Sequence, residues 1–230
     1  MERVRIAALG DSITKGVVLS EENNYSVLEH NFMDIISESR GVEVDNYGRF
    51  GSTIDFAHHV LKHHESDIAG ARYTFIEYGG NDCDFYWKRI AQNPQGVHFP
   101  KTGLDEFRVS LISLIERVRA LGSVPVLLSL PPISSSSYFD YFSRGMNDVD
   151  RANILCWMGG DVERISRWHE SYNEVLFDVA EAMGVVICDI THPFCDYSGG
   201  WKNLLCVDGI HPNMLGHQLI ALSIMNNGLL

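Results

Sequence analysis

The sequence has few of the features that mark metal-binding or disulfide-stabilised proteins. Its 230 residues include five cysteines, and no two of them form a Cys-x-x-Cys pair. Zinc ribbons and thioredoxin-type redox sites are therefore not supported. Because the number is odd and the spacing irregular, we expect free thiols in a reducing compartment. The five are Cys83, Cys156, Cys188, Cys195 and Cys206.

Positive charge is also scarce. Lysine and arginine number 18 against 30 aspartates and glutamates, which gives a net charge of −12. A surface of this sign repels nucleic acids and anionic membranes, so we expect neither as a partner. No apolar run approaches the ~20 residues of a membrane-spanning helix, and the apolar stretch at 6–9 is too short for the core of a signal peptide. The sequence predicts a cytoplasmic location.

Three common motifs of nucleotide-binding proteins and hydrolases are missing. The sequence contains no GxxxxGK[ST] phosphate loop and no GxSxG turn, and no GxGxxG follows the first apolar run. These absences disfavour a P-loop protein, an ordinary α/β-hydrolase and a dinucleotide-binding fold. Hydrophobic residues make up 45% of the chain, and no stretch has the composition of a linker. We therefore predict a single domain over residues 1–230 with a sizeable core.

Short apolar runs alternate with helical patterns along the chain. Runs typical of buried strands occupy residues 4–9, 42–47, 73–78, 124–130 and 185–190. Apolar residues at helical spacing predict helices over residues 25–36, 53–64, 104–121, 163–183 and 214–225. This alternation predicts an α/β fold in which helices cover both faces of a parallel sheet. The serine- and aromatic-rich segment 131–145 is predicted to be a long loop.

Small polar clusters follow four of the five predicted strands. They are Gly10-Asp11-Ser12 after the first strand, residues 46–51 after the second, residues 79–82 after the third and residues 208–212 after the fifth. In open parallel sheets, ligands bind beyond the carboxyl ends of the strands. We therefore expect these clusters to meet at one edge of the sheet.

The clusters together contain the groups that a hydrolytic serine requires. Ser12 supplies a hydroxyl, His211 a base, and Asp208 a carboxylate three residues before that base. The backbone N–H of Gly51, the side-chain N–H of Asn81 and the N–H of Ser12 are candidate donors to an oxyanion. The polar clusters therefore indicate nucleophilic catalysis by serine.

The segments "ALGDSITKG", "NYGRFGST", "YGGND" and "VDGIHPNMLGH" resemble four ordered blocks of the SGNH (GDSL) hydrolase superfamily. The resemblance spans residues 6–217, and the initials of the family name match Ser12, Gly51, Asn81 and His211. It implies a three-layer α/β/α flavodoxin-like sandwich whose five-stranded parallel sheet has the order 2-1-3-4-5. It also implies Asp208 as the triad acid and ester hydrolysis through an acyl-serine, without a cofactor.

The resemblance leaves the substrate open, because the family includes lipases, thioesterases, sugar deacetylases and acyltransferases. Since no apolar lid or membrane helix is evident, we expect short-acyl or acetyl esters of a small molecule or a carbohydrate. An acyltransferase or thioesterase using the same site is the nearest alternative. A non-catalytic binding module is a third, and the complete set of site residues argues against it.

Several assignments have competing interpretations. Gly48 competes with Gly51 as the oxyanion donor, although the spacing of the block favours Gly51. Ser52 stands where the family often has aspartate. Asp208 and His211 could form a metal pair, but one Asp-x-x-His lacks further ligands.

Two groups of side chains remain open. His59 and His63 lie four residues apart on a predicted helix and could bind a metal, but an exposed polar face is the simpler interpretation. Some of the aromatic residues near the strand ends should line an acyl or alcohol pocket, while others pack the loops. They are Trp87, Phe139, Phe142, Trp157 and Trp201.

Overall fold

A computed structural model describes residues 3–230 of the chain. Its strands are β1 (Arg5–Gly10), β2 (Val17–Leu19), β3 (Tyr25–Val27), β4 (Glu43–Asn46), β5 (Tyr73–Glu77), β6 (Val124–Leu128) and β7 (Val186–Cys188). Its helices are α1 (Ser12–Lys15), α2 (Phe32–Arg40), α3 (Ile54–His63), α4 (Glu65–Gly70), α5 (Trp87–Gln92), α6 (Leu104–Ala120), α7 (Ser135–Phe142), α8 (Asp148–Trp157), α9 (Arg164–Met183), α10 (Thr191–Cys195) and α11 (Met214–Asn226), with a 3-10 turn at Trp201–Leu204.

Five strands form the central sheet, in the order β4-β1-β5-β6-β7. Every neighbouring pair is parallel, and β1 lies between β4 and β5, with Ala8 opposite Asn46 on one side and Phe75 on the other. Counted in chain order within this sheet, the strands follow 2-1-3-4-5, so the predicted topology is confirmed. The strands β2 and β3 form a separate antiparallel hairpin.

Successive residues of β1 point to opposite faces of the sheet, and each face has its own hydrophobic core. Ala7 and Leu9 pack with residues of α3, α6 and α9. Ile6 and Ala8 pack with residues of α2, α10 and α11 on the other face. This alternation explains why residues 6–9 of the strand are all apolar, rather than every second one. The predicted α/β/α layering is confirmed.

The helix predicted over residues 25–36 is wrong in its first half. Tyr25 begins β3 instead, and α2 starts at Phe32. The chain reverses at Asn23, which has a φ of 63°, so that β3 can pair with β2. Asn31 and Asp34 then form a capping box that fixes the start of α2. The helical spacing of Tyr25 and Leu28 with the later apolar residues was coincidental.

The segment 131–145 is not a continuous loop, because its middle forms α7. The side chain of Ser134 accepts a hydrogen bond from the N–H of Ser137 and caps this helix. Serine is typical of loops but is also a preferred N-cap residue, which is why the composition was misleading. The helices α5 and α8 are further elements that the sequence analysis left unassigned.

All five cysteines are free, as predicted. Across residues 3–230, no helix combines the length and the apolar character needed to cross a membrane. The cytoplasmic location stays a prediction.

Candidate active site

Ser12 is held rigidly at the carboxyl end of β1, where the sheet meets α1. Asp11 caps α1, because its Oδ1 accepts the N–H of Ile13 at 2.8 Å. A Cβ atom on Gly10 would lie 2.0 Å from Oγ1 of Thr14, so only glycine allows this tight passage from strand to helix. Ser12 is only 6% exposed, and its side chain lines a cavity.

The structure brings Ser12, His211 and Asp208 together, although 199 residues separate the serine from the histidine. The hydroxyl of Ser12 lies 2.9 Å from Nε2 of His211. Nδ1 of the same ring lies 2.6 Å from Oδ2 of Asp208, and both residues are buried. With the proton on Nδ1, the imidazole donates to the carboxylate and accepts from the serine. This is the arrangement in which a histidine can take a proton from a hydroxyl.

The backbone around Asp208 fixes its carboxylate. Oδ1 of Asp208 accepts the N–H groups of Ile210 and His211 at 3.1 and 3.2 Å. Gly209 between them has a φ of 73°, and a Cβ atom there would lie 2.9 Å from the carbonyl oxygen of Ser134. The N–H of Ser134 donates to the carbonyl of Gly209 at 2.8 Å. The start of α7 therefore supports the loop that carries the base.

The candidate oxyanion donors lie beside Ser12. Gly51 and Asn81 both line the cavity with the serine. The side-chain amide of Asn81 donates to Oδ2 of Asp11 at 2.8 Å, and its second N–H remains for a ligand. A Cβ atom on Gly48 would lie 2.4 Å from the backbone nitrogen of Lys15, so Gly48 serves close packing against α1. The N–H of Gly48 already donates to Oδ1 of Asn46 at 2.9 Å, so Gly51 is the better candidate donor.

A second buried carboxyl group lies behind the serine. Oε2 of Glu77 accepts the hydroxyl of Thr14 at 2.9 Å and faces the N–H of Asp11 at 3.4 Å. Burial raises the pKa of Glu77 well above its usual range, and the neighbouring carboxylate of Asp11 raises it further. We therefore assign the proton of this pair to Glu77, which leaves Asp11 charged to hold Asn81 and cap α1. Sequence analysis missed Glu77, because a lone carboxylate at a strand end carries no motif.

We expect the Glu77→Gln variant to lose part of the pH dependence of stability. A raised pKa in the folded state stabilises the protein fully below the ordinary glutamate pKa, and this stabilisation disappears as the pH rises through the raised value. Glutamine stays neutral. The free energy of unfolding of the Glu77→Gln variant should therefore rise relative to that of the wild type as the pH increases above the ordinary glutamate pKa, by about 1.4 kcal/mol per unit of pKa shift. Urea unfolding measures this. The exposed Glu174→Gln is the matched control, and parallel curves for the Glu77 variant and wild type would contradict the assignment.

Two aromatic rings pack against the imidazole of His211, and a third ring packs against one of them. Tyr25 of β3 meets the ring of His211 edge-on at 5.6 Å between centroids, and Phe50 stacks on it at 6.1 Å. Tyr25 also lies 5.0 Å from Phe50 and 6.3 Å from Tyr141. Burial raises the pKa of the Tyr25 hydroxyl, as does its hydrogen bond with Tyr141. The strand β3, where the sequence predicted a helix, thus supplies part of the site.

The cavity that contains Ser12 extends away from His211 into a second aromatic region and has a volume of about 360 Å³. Trp87 and Phe142 stack there at 4.4 Å, and Phe85 meets Trp157 edge-on at 5.1 Å. Of the five aromatic residues noted in the sequence, Trp87, Phe142 and Trp157 line the cavity. Phe139 is buried in the same hydrophobic cluster as Trp87. Trp201 packs against the core between the sheet and the helices α2, α10 and α11.

The four histidines of α3 and its C-terminal cap do not gather at one point. His58 contacts Ser110, His64 stacks on Tyr47, and His59 meets His63 edge-on at 5.1 Å. In the part of the chain that the structure describes, no three histidine, cysteine, aspartate or glutamate side chains gather where they could hold a metal ion.

Comparisons with known proteins agree with the fold. A lipase/acylhydrolase from Enterococcus faecalis superposes with a TM-score of 0.68 at 19% identity, covering 97% of this chain and 94% of that one. A catalytic mutant of an acetylxylan esterase from Geobacillus stearothermophilus gives 0.64 at 19%, covering 97% and 93%. At this identity the likeness shows a shared fold.

Two curated proteins and one family model match the sequence. An uncharacterized lipoprotein of Bacillus subtilis is 26% identical over 206 residues, which cover 85% of this chain and 74% of that protein. A GDSL esterase/lipase of Arabidopsis thaliana is 21% identical over 150 residues, 64% of this chain and 50% of that protein. The model of the GDSL-like lipase/acylhydrolase family matches residues 8–219. Because this match spans nearly the whole chain, the chain belongs to the GDSL-like lipase/acylhydrolase family, a family of esterase- and lipase-type hydrolases.

Proposed function

We propose that the protein is a serine esterase that hydrolyses short-acyl or acetyl esters of a small molecule or carbohydrate. The observation that carries the proposal is the contact between Ser12 and His211, whose Oγ and Nε2 atoms lie 2.9 Å apart. The imidazole is oriented by a buried carboxylate at its other nitrogen. A serine with a base in contact and an oriented imidazole is the arrangement that forms acyl-enzymes.

The reaction proceeds in two steps. His211 takes the proton of the Ser12 hydroxyl as Oγ bonds to the ester carbonyl carbon, and the N–H groups of Ser12, Gly51 and Asn81 hold the resulting oxyanion. His211 then gives its proton to the leaving alcohol, which leaves an acyl-serine. Water, deprotonated by the same imidazole, attacks this ester and releases the acid and free Ser12.

The aromatic rings support a small acyl group. Tyr25 and Phe50 crowd the imidazole on which the reaction depends. The second aromatic region of the same cavity contains Trp87 and Phe142. A short acyl group beside Ser12, with the alcohol in the second aromatic region, uses both parts of the cavity.

A fluorophosphonate probe and a series of p-nitrophenyl esters test the proposal. The probe should label the wild type on Ser12, as found by mass spectrometry of the digested protein. Hydrolysis should be fastest for acetate and butyrate and should fall for longer chains. Absence of labelling together with absence of ester hydrolysis would reject the function, and product analysis with an added alcohol would separate hydrolysis from acyl transfer.

The Asn81→Ala variant should lose about 10²- to 10³-fold in kcat, because one oxyanion donor is removed. The same variant also loses the hydrogen bond to Asp11, which by itself would disturb the local structure. A second measurement is therefore the affinity of a boronic acid inhibitor, which forms a tetrahedral adduct with Ser12. The affinity for this inhibitor should fall together with kcat. Asn203→Ala, which changes an exposed asparagine of the 3-10 turn, is the control. Unchanged boronate affinity would contradict the oxyanion role.

A further inference from the structure

One wall of the cavity comes from the first turns of α9, and the proposed reaction does not use it. Ile165, Trp168 and His169 lie three and four residues apart on one face of this helix, and all three line the cavity. The side chain of His169 is buried, at 5% exposure for the residue. Burial is the only cause of the shift in its pKa, and no hydrogen bond or charge from residues 3–230 acts on the ring.

An imidazole without partners is unusual in such a place. Burial lowers the pKa of His169 to about 4, so the ring is neutral at neutral pH. A neutral imidazole has one N–H donor and one nitrogen acceptor, and neither finds a hydrogen-bond partner among residues 3–230. A group that the fold leaves unsatisfied beside a cavity is suited to a ligand that satisfies it.

A carboxylate that also lines this cavity has its partners within the protein. Asp84 accepts hydrogen bonds from Trp87 and Tyr138 and pairs with Lys101 at 2.9 Å. Nε1 of Trp168, next to His169 in the chain, is closed off inside the protein and is not available to a ligand. On this wall the imidazole of His169 is therefore the uncharged polar group that a ligand in the cavity can use.

The surroundings of His169 favour a flat, uncharged ligand. The faces of Phe85, Trp157 and Trp168 form the adjoining surface. Arg164 extends over the ring of Trp157, and its Nη1 donates to the carbonyl of the same residue. A ring whose C–H groups pack on aromatic faces and whose hydroxyls reach a neutral donor and acceptor fits this surface.

We propose that His169 is a specificity-determining residue whose imidazole hydrogen-bonds a hydroxyl of the substrate alcohol, so that the preferred substrates are acyl esters of hydroxylated rings. This inference rests on the proposed esterase function. It assigns the second aromatic region of the cavity to the alcohol and gives that alcohol a chemical class.

Two acetates of six-membered rings, one with free ring hydroxyls and one without, test the inference. The substrates are cyclohexyl acetate and a monoacetylated methyl xylopyranoside, and the enzymes are the wild type, His169→Phe and His169→Gln. Phenylalanine keeps the aromatic volume and removes the polar atoms, whereas glutamine keeps a neutral donor and acceptor. The control is His192→Phe, which changes an exposed histidine outside the cavity.

The wild type should prefer the xyloside in kcat/KM. His169→Phe should lower this preference about tenfold or more, mainly through KM, and His169→Gln should restore part of it. The free methyl xyloside should inhibit cyclohexyl acetate hydrolysis, with a Ki that rises in His169→Phe. An equal loss for both substrates, or an unchanged preference, would overturn the role of His169 while the esterase function stands. If the wild type hydrolyses neither acetate and the fluorophosphonate does not label Ser12, the proposed function itself is rejected.

Discussion

The Ser12→Ala variant should hydrolyse p-nitrophenyl acetate roughly 10⁴- to 10⁶-fold more slowly than the wild type. Without the hydroxyl no acyl-serine can form, and His211 has no proton to remove at the position where the ester binds. Any residual rate comes from the remaining donors and from His211 acting on water. The fold should be kept, because Asp11 rather than Ser12 caps α1. Loss of one hydrogen bond costs about 1 kcal/mol.

The matched control for this variant is Ser123→Ala. Ser123 is buried like Ser12, and its hydroxyl lies 2.7 Å from that of Thr74. It directly precedes β6, at the end of the sheet opposite Ser12. The same atom is therefore removed from a buried serine without touching the site, and activity should stay within twofold of the wild type. A Ser12→Ala rate within tenfold of the wild type, in protein verified by mass spectrometry, would end the covalent mechanism.

Sequence predicted the central sheet well because a parallel strand buried on both faces leaves a strong signal. Four of the five sheet strands are short, mostly apolar runs, and the exception is the edge strand β4, whose residues are exposed or half-buried. The apolar composition of β1 serves two cores at once. The β2–β3 hairpin gave no such signal. Its strands have only three residues each, too few to show an alternating pattern, and the residues of β3 are exposed.

The candidate site was predictable to the extent that it lies at strand ends. Ser12, Asn81 and His211 follow or connect predicted strands, and the topology alone places them at one edge. The aromatic walls were not predictable in the same way, because Tyr25, Phe50 and Trp168 come from a hairpin, a loop and a helix face. These residues come together only because the separate elements pack against one another, and the spacing of residues in the sequence does not indicate that packing.

The chain contains a second copy of the motif that carries the base. Asp189 and His192 repeat the spacing of Asp208 and His211, and each histidine is followed by proline. In both motifs one carboxylate oxygen accepts two backbone N–H groups, from the histidine and the residue before it, while the other oxygen faces Nδ1. The surroundings differ, because the side chain of His192 is 75% exposed and that of His211 is 4% exposed and touches Ser12.

The Asp208→Asn variant should therefore lose roughly 10³- to 10⁴-fold in kcat/KM for p-nitrophenyl acetate. The two backbone N–H groups require an oxygen in place of Oδ1, so the amide nitrogen must replace Oδ2. An N–H then faces Nδ1 of His211, which forces the imidazole proton onto Nε2, where it points at Ser12 instead of accepting from it. Fluorophosphonate labelling should slow in parallel, since it needs the same proton transfer.

Asp189→Asn makes the same chemical change in the exposed copy of the motif and should leave kcat/KM within twofold of the wild type. Because the carboxylate–imidazole geometry of the two sites is so similar, a general effect of amide for carboxylate on loop stability would appear in both variants. An effect on the proton transfer between Ser12 and His211 would appear only in the Asp208 variant. Equal activity in the two variants would therefore show that Asp208 has no part in the mechanism and that His211 does not need this carboxylate to orient its ring.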